Sequence, residues 1–159
     1  MKAKPKLSLR ENGRIILPSM YDELISHSER VIHHPRLRDE LHQMRLAGKP
    51  LRYAMEVFEP AFNKTFSVCL DEIKRFIELV GKVHDYDVTL LRLQDFLQEI
   101  HLFNRSCTRT IDRLSTRGIR TLIQRHRDQR VADYAAVCAI LTEWKQVHFR
   151  NRLVRSMKP

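Results

Sequence analysis

LHQMRLAGKPLRYAMEVFEP, residues 41 to 60, is the stretch that decides the fold. Set on a helical wheel at about 100° per residue, it divides into two sectors. Leu41, Met44, Gly48, Leu51, Met55 and Phe58 fill an arc of about 100°, and His42, Arg45, Lys49, Arg52 and Glu56 fill an adjoining arc of about 80°. The pattern predicts an amphipathic helix whose cationic stripe borders the core instead of opposing it. Charges beside a packing seam are partly shielded from water, and their attraction for an anion is screened less than on an open surface. A basic groove between helices is the expected result. From His42 to Arg52 the stripe runs about 15 Å along the axis, long enough to meet several phosphates in succession. Arginine offers a planar fork of donors, lysine a compact charge, and histidine a donor whose charge changes near neutral pH. The same spacing also describes the solvated face of an ordinary surface helix, and Glu56 would repel an anion unless it orients Arg52.

Outward from this helix, Pro35 marks its start and Pro60 lies just past its end near Phe58, because the residue before a proline avoids helical backbone. Before it, Pro18-Ser19 introduces a first helix to about His33, and residues 1 to 17, with their Asn12-Gly13 turn signal, read as a tail or linker. After it, Asn63 or Thr65 can cap a third helix ending near Val80-Gly81, and Asp85 or Asp87 can cap a fourth running to Leu102. Spacings of three and four continue through Ile111, Leu114, Gly118 and Leu122, then through Tyr134, Cys138, Leu141, Trp144 and His148, predicting helices over about 106–124 and 131–155. The fold class is therefore all-α, an antiparallel helical bundle of about six helices in one domain over residues 18 to 159.

Composition agrees and narrows the partners. The 159 residues are 43% hydrophobic and 30% charged with only four glycines, a globular and helix-compatible balance. Lysine and arginine outnumber aspartate and glutamate 29 to 19, a formal charge of +10 that favours DNA, RNA, anionic lipid or polyphosphate without choosing among them. Cys69, Cys107 and Cys138 are odd in number and far apart, suggesting neither disulfides nor a zinc site. No segment has the length and hydrophobicity of a signal peptide or membrane span, so a cytoplasmic protein without membrane association, metal or cofactor is expected.

The helix over 41–60 also resembles the signature HxxRxxxKxxRYxxExF of the CHAD (conserved histidine α-helical domain) family, matched by His42, Arg45, Lys49, Arg52, Tyr53, Glu56 and Phe58. A second stretch, IKRFIELVGKVHDYDV, is similar to that family's LKxLQxxLGxxHDxDV, with Lys74, Gly81, His84, Asp85, Asp87 and Val88 in register. The resemblance implies two similar helical halves around a basic groove that binds inorganic polyphosphate. It implies ligand contacts for His42, Arg45, Lys49, Arg52, Lys74 and His84, orienting or capping roles for Tyr53, Glu56, Asp85 and Asp87, and residence that could include polyphosphate granules. The chain has room for about one half, so the resemblance further implies a half-groove or pairing of two copies as a homodimer. Pro50 stands where the family often has a basic residue, and Ile77 replaces the usual glutamine.

Two other readings compete. A general nucleic-acid binder follows from the net charge and from Arg105, Arg109, Arg113, Arg117 and Arg120, a row spread over about 120° if its stretch is one continuous helix, though an outer solvated surface fits the row better because its apolar face lies on the other side. An HD-type metal phosphohydrolase would combine His84-Asp85 with His33, His34, Asp95 or Asp112 around a divalent ion, but no spacing singles these out. Trp144 shares a stripe with Leu141 and His148 and reads as core or subunit interface rather than a base-stacking platform.

Overall fold

The computed structural model describes residues 4–34 and 38–158. Among them are six α-helices and no strand: α1 (Leu9–Ser26), α2 (Ser28–His33), α3 (Arg38–Phe58), α4 (Lys64–Ser106), α5 (Arg117–Gln146) and α6 (Phe149–Ser156). The expected break at Pro35, and the start of the second helix there, lie outside the described residues.

On α3 the buried residues are Leu41, Met44, Gly48, Leu51, Met55 and Phe58, the whole predicted apolar arc. The helix passes unbroken through Pro50, whose ring is exposed. α3 runs antiparallel to both neighbours. Arg10 near the start of α1 donates to the Ala61 carbonyl just past α3, at 2.8 Å, while His42 lies beside His84 and Lys74 beside Glu56. α4 and α5 are likewise antiparallel, since Phe76 meets Trp144 and Asp87 meets Arg130. The short helices close the body between α1 and α5. Tyr134 of α5 donates to the Val31 carbonyl of α2, and Phe149 of α6 stacks on Tyr21 and Trp144 with ring centroids 5.3 and 4.5 Å apart. Trp144 is therefore core.

Several boundaries differ from the sequence reading, beginning with the first helix, which is split at His27 into α1 and α2. Residues 9–17 are helix, not tail. Ser8 caps α1 reciprocally with Glu11, and Asn12 folds residues 4–8 back by accepting from the Lys4 amide and donating to the Lys4, Leu7 and Ser8 carbonyls. The adjacent Gly13 is no turn; it leaves room for Phe62, whose ring would lie 2.9 Å from a Cβ there. Pro18, expected to start a helix, sits within α1, flanked by the buried Leu17 and Tyr21.

Neither Gly81 nor Asp85 and Asp87 ends or caps a helix, because α4 continues through them for 43 residues, about 65 Å. Glycine in a helix costs about 1 kcal/mol relative to alanine. The buried row Phe66, Ile73, Val80 and Val83 spans this point and outweighs it at roughly 1.5–3 kcal/mol per large side chain. The expected helix over 106–124 forms only from Arg117, where it runs on without the expected break into the next as α5; residues 107–116 are a connection, in which Asn104 grips Leu114 through both its backbone groups and Ile111 is 81% exposed. The last expected helix is cut at His148, which adopts left-handed backbone (φ 48°, ψ 52°) so that Phe149 can turn inward.

Candidate functional site

The cationic stripe of α3 lies along its seam with α4. His42, Arg45, Lys49, Arg52 and Glu56 are all half-buried, as expected for side chains bordering the core. The helices approach closely because Gly48 has no side chain: a Cβ there would stand 2.0 Å from Ile77 Cδ1 and 3.1 Å from its Cγ1. Ile77, the position where the resemblance has glutamine, fills that notch. Further along, a Cβ on Gly81 would lie 3.9 Å from Arg45 Nε, so α4 presents bare backbone beside that guanidinium.

Six residues from two helices thus come together. His42 and His84 face each other with ring centroids 5.0 Å apart. Lys74 Nζ lies 3.7 Å from Glu56, which also accepts from Arg52 Nε at 3.1 Å, and Arg52 reaches Glu78 at 3.8 Å. Glu56 therefore orients both cations and partly neutralises them. Arg45 and Lys49 form no ion pair among the described residues, and His42 Nδ1 is buried without a hydrogen-bond partner. Burial, then the charges of Arg45 and His42, hold His84 below the usual histidine pKa, against the opposite pull of Asp85 and Asp87. The free protein therefore favours a neutral His84 in a positive surrounding. Tyr53 is 57% exposed and Asp85 is exposed, so both stand outside the seam proper.

Asp87 has a different placement from the one its motif suggested. Its buried carboxylate accepts from Arg130 Nε and Nη2 of α5 at 2.6 and 3.2 Å and lies 3.0 Å from Arg38 Nε of α3. It ties the start of α3 and the middle of α5 to α4, at the end of the seam that holds His42 and His84. No periodicity could have paired Asp87 with Arg130, 43 residues away in sequence; only the antiparallel register of α4 and α5 does so.

The arginine row is not one helical face. Arg105 closes α4, Arg109 and Arg113 lie in the connection, and Arg117 and Arg120 open α5. Among the described residues no three or more histidine, cysteine, aspartate or glutamate side chains gather as a metal site, so His33, His34, Asp95 and Asp112 do not assemble with His84 and Asp85. No helix among the described residues is long and apolar enough to cross a membrane. A cleft of about 460 Å³ lies elsewhere, between Asn63, Thr65, His148 and Arg155. Within the seam Arg52 and Lys74 are each 31% exposed.

Neither a curated protein nor a solved structure matches the chain. The family model of the CHAD domain does match, over residues 2–94, more than half of the chain and the whole of α1, α3 and the α4 segment that faces them; the protein belongs to the CHAD domain family.

Proposed function

We propose that the α3–α4 seam binds inorganic polyphosphate, without chemical turnover, through His42, Arg45, Lys49, Arg52, Lys74 and His84. The family's association with polyphosphate binding supports the choice of ligand. The observation that carries the site is the pair of cations Arg45 and Lys49, which form no ion pair among the described residues, beside the facing rings of His42 and His84. Along the seam, successive phosphates would meet Arg45, Lys49 and Arg52 in turn, while Glu56 keeps Arg52 and Lys74 aimed.

Because affinity would come from neutralising phosphates, binding should weaken steeply with salt as counterions are released. Competition between long-chain polyphosphate and duplex or single-stranded nucleic acid, at one ionic strength, tests the ligand class. Retention of polyphosphate is expected, and stronger retention of nucleic acid would replace this reading with a nucleic-acid binder. Two copies forming a complete groove is a further part of the proposal, supported by the exposure of Leu91, Phe96, Leu102 and Phe103 on the outer half of α4. A monomer mass in light scattering, with and without polyphosphate, would remove it.

A further inference from the structure

We propose that the outer end of the α4–α5 hairpin is a second phosphate-binding site, and that a long polyphosphate chain is held there and at the seam together. The second half of this proposal rests on the function proposed above.

Past Asp87, α4 outruns α3 and pairs with α5 as a two-helix arm whose buried apolar residues are few, Leu90, Ile100 and Ile123. At its tip His101, Asn104, Arg105 and Arg113 line a cleft of about 290 Å³, and Arg120 Nη2 lies 3.5 Å from His101 Nε2. The cleft is held in shape: Asn104 Nδ2 donates to the Leu114 carbonyl at 2.9 Å and its Oδ1 accepts from the Leu114 amide at 2.7 Å, which pins Arg113 against the end of α4.

None of Arg105, Arg113 and Arg120 forms an ion pair among the described residues, and the nearby acids Glu99 and Asp112 neutralise none of them. Elsewhere the fold does pair its arginines, as at Arg30 with Glu40, Arg150 with Asp22 and Arg130 with Asp87. Like charges gathered on a preformed cleft repel one another, and a polyvalent anion relieves that repulsion. Planar guanidinium groups suit phosphate in particular.

The register along α4 links the two sites. His84, Leu91, Gln98 and Arg105 recur every seven residues along one side of α4, where Leu91, Gln98 and Arg105 are exposed and Asp95 shares the same side, so the basic groups form two separate clusters on one helix. From His84 to Arg105 is about 32 Å. Tripolyphosphate is far too short to bridge that distance, whereas a long chain can occupy both ends and gain from the effective concentration of the second contact.

The test titrates tripolyphosphate and long-chain polyphosphate into the full chain, the tip variant Arg105→Glu/Arg113→Glu, its control Arg105→Lys/Arg113→Lys, and the seam variant Lys49→Glu, all checked for unchanged helical circular dichroism. The tip variant should lose long-chain affinity by at least about ten-fold, the lysine control should retain most of it, and tripolyphosphate should fall from two sites to one in either glutamate variant. Long-chain affinity unchanged in the tip variant while Lys49→Glu weakens binding would overturn the tip site and leave the seam standing. Loss in the tip variant with none in Lys49→Glu would uphold the tip site and remove the seam. Loss confined to single-stranded nucleic acid would overturn the tip as a polyphosphate site.

Discussion

Replacing Gly48 with alanine should destabilise the protein, although an alanine in a helix ordinarily gains about 1 kcal/mol over glycine. The new Cβ would stand 2.0 Å from Ile77 Cδ1, 3.1 Å from Ile77 Cγ1 and 3.4 Å from Leu24 Cδ1. Ile77 can swing its terminal methyl aside, but Cγ1 stays close, and its fully packed surroundings leave little room. Overpacking of this kind costs about 1–3 kcal/mol, so after the helix gain the net loss is up to about 2 kcal/mol. In thermal unfolding that is a fall of several degrees, at about 2–4 °C per kcal/mol for a chain of this size. Ile77→Val removes Cδ1 and alone should cost about 0.5–1.5 kcal/mol. The double variant should be more stable than the sum of the two single losses predicts, by about 1 kcal/mol, because the 2.0 Å contact is then gone and only the milder approach of Cγ1 at 3.1 Å remains. A Gly48→Ala protein stabilised like any exposed helical glycine, with no coupling to Ile77, would refute the close approach of α3 and α4 on which the seam depends.

Three further outcomes follow from the same contacts. Asp87→Ala leaves Arg130 and Arg38 without their shared carboxylate and should cost about 3–5 kcal/mol by chemical denaturation, as for other buried pairs broken on one side; a loss below about 1 kcal/mol would show the triad to be loosely solvated. His84 titrates below its usual value in the free protein, chiefly because it is buried and also because Arg45 and His42 lie near, with Asp85 and Asp87 opposing. A bound phosphate would favour its charged form and raise that pKa, so polyphosphate affinity should rise as pH falls through the pKa of the complex, and His84→Gln should flatten the profile; a parent profile as flat as the variant's would contradict this. His148→Gly should relieve left-handed backbone strain of about 1–2 kcal/mol and raise the melting temperature, less the entropy glycine adds to the unfolded chain; a lowered melting temperature would show that the His148 side chain contributes contacts.

What could be read from the sequence was what repeats at helical spacing. The six core residues of α3 and the adjoining cations are set by a 3.6-residue period within one helix, and they lie where that period puts them. The family motifs set the register of α3 against α4, bringing His42 to His84. Signals that depend on tertiary context misled. Asn12-Gly13 looked like a turn because its packing against residues 4–8 and Phe62 is invisible locally, although Ser8 and Glu11, three residues apart, already spelled a capping box. Gly81 and Asp87 looked like a helix end and a cap because the buried row that carries α4 through them is continuous only when three helices are packed together. Arg105 to Arg120 looked like one face because nothing local announced the Asn104–Leu114 clamp that folds the row into a tip.

The most direct measurement is a calorimetric titration of long-chain polyphosphate into the parent protein and Lys49→Glu across a range of salt. Lys49 is half-buried on the seam and forms no ion pair among the described residues, so the exchange alters the ligand's surroundings without removing a core contact. The seam account predicts affinity lower by at least about ten-fold and a shallower dependence of log K on log salt, by about two phosphate contacts. Equal affinity and equal salt slope in the two proteins would contradict it.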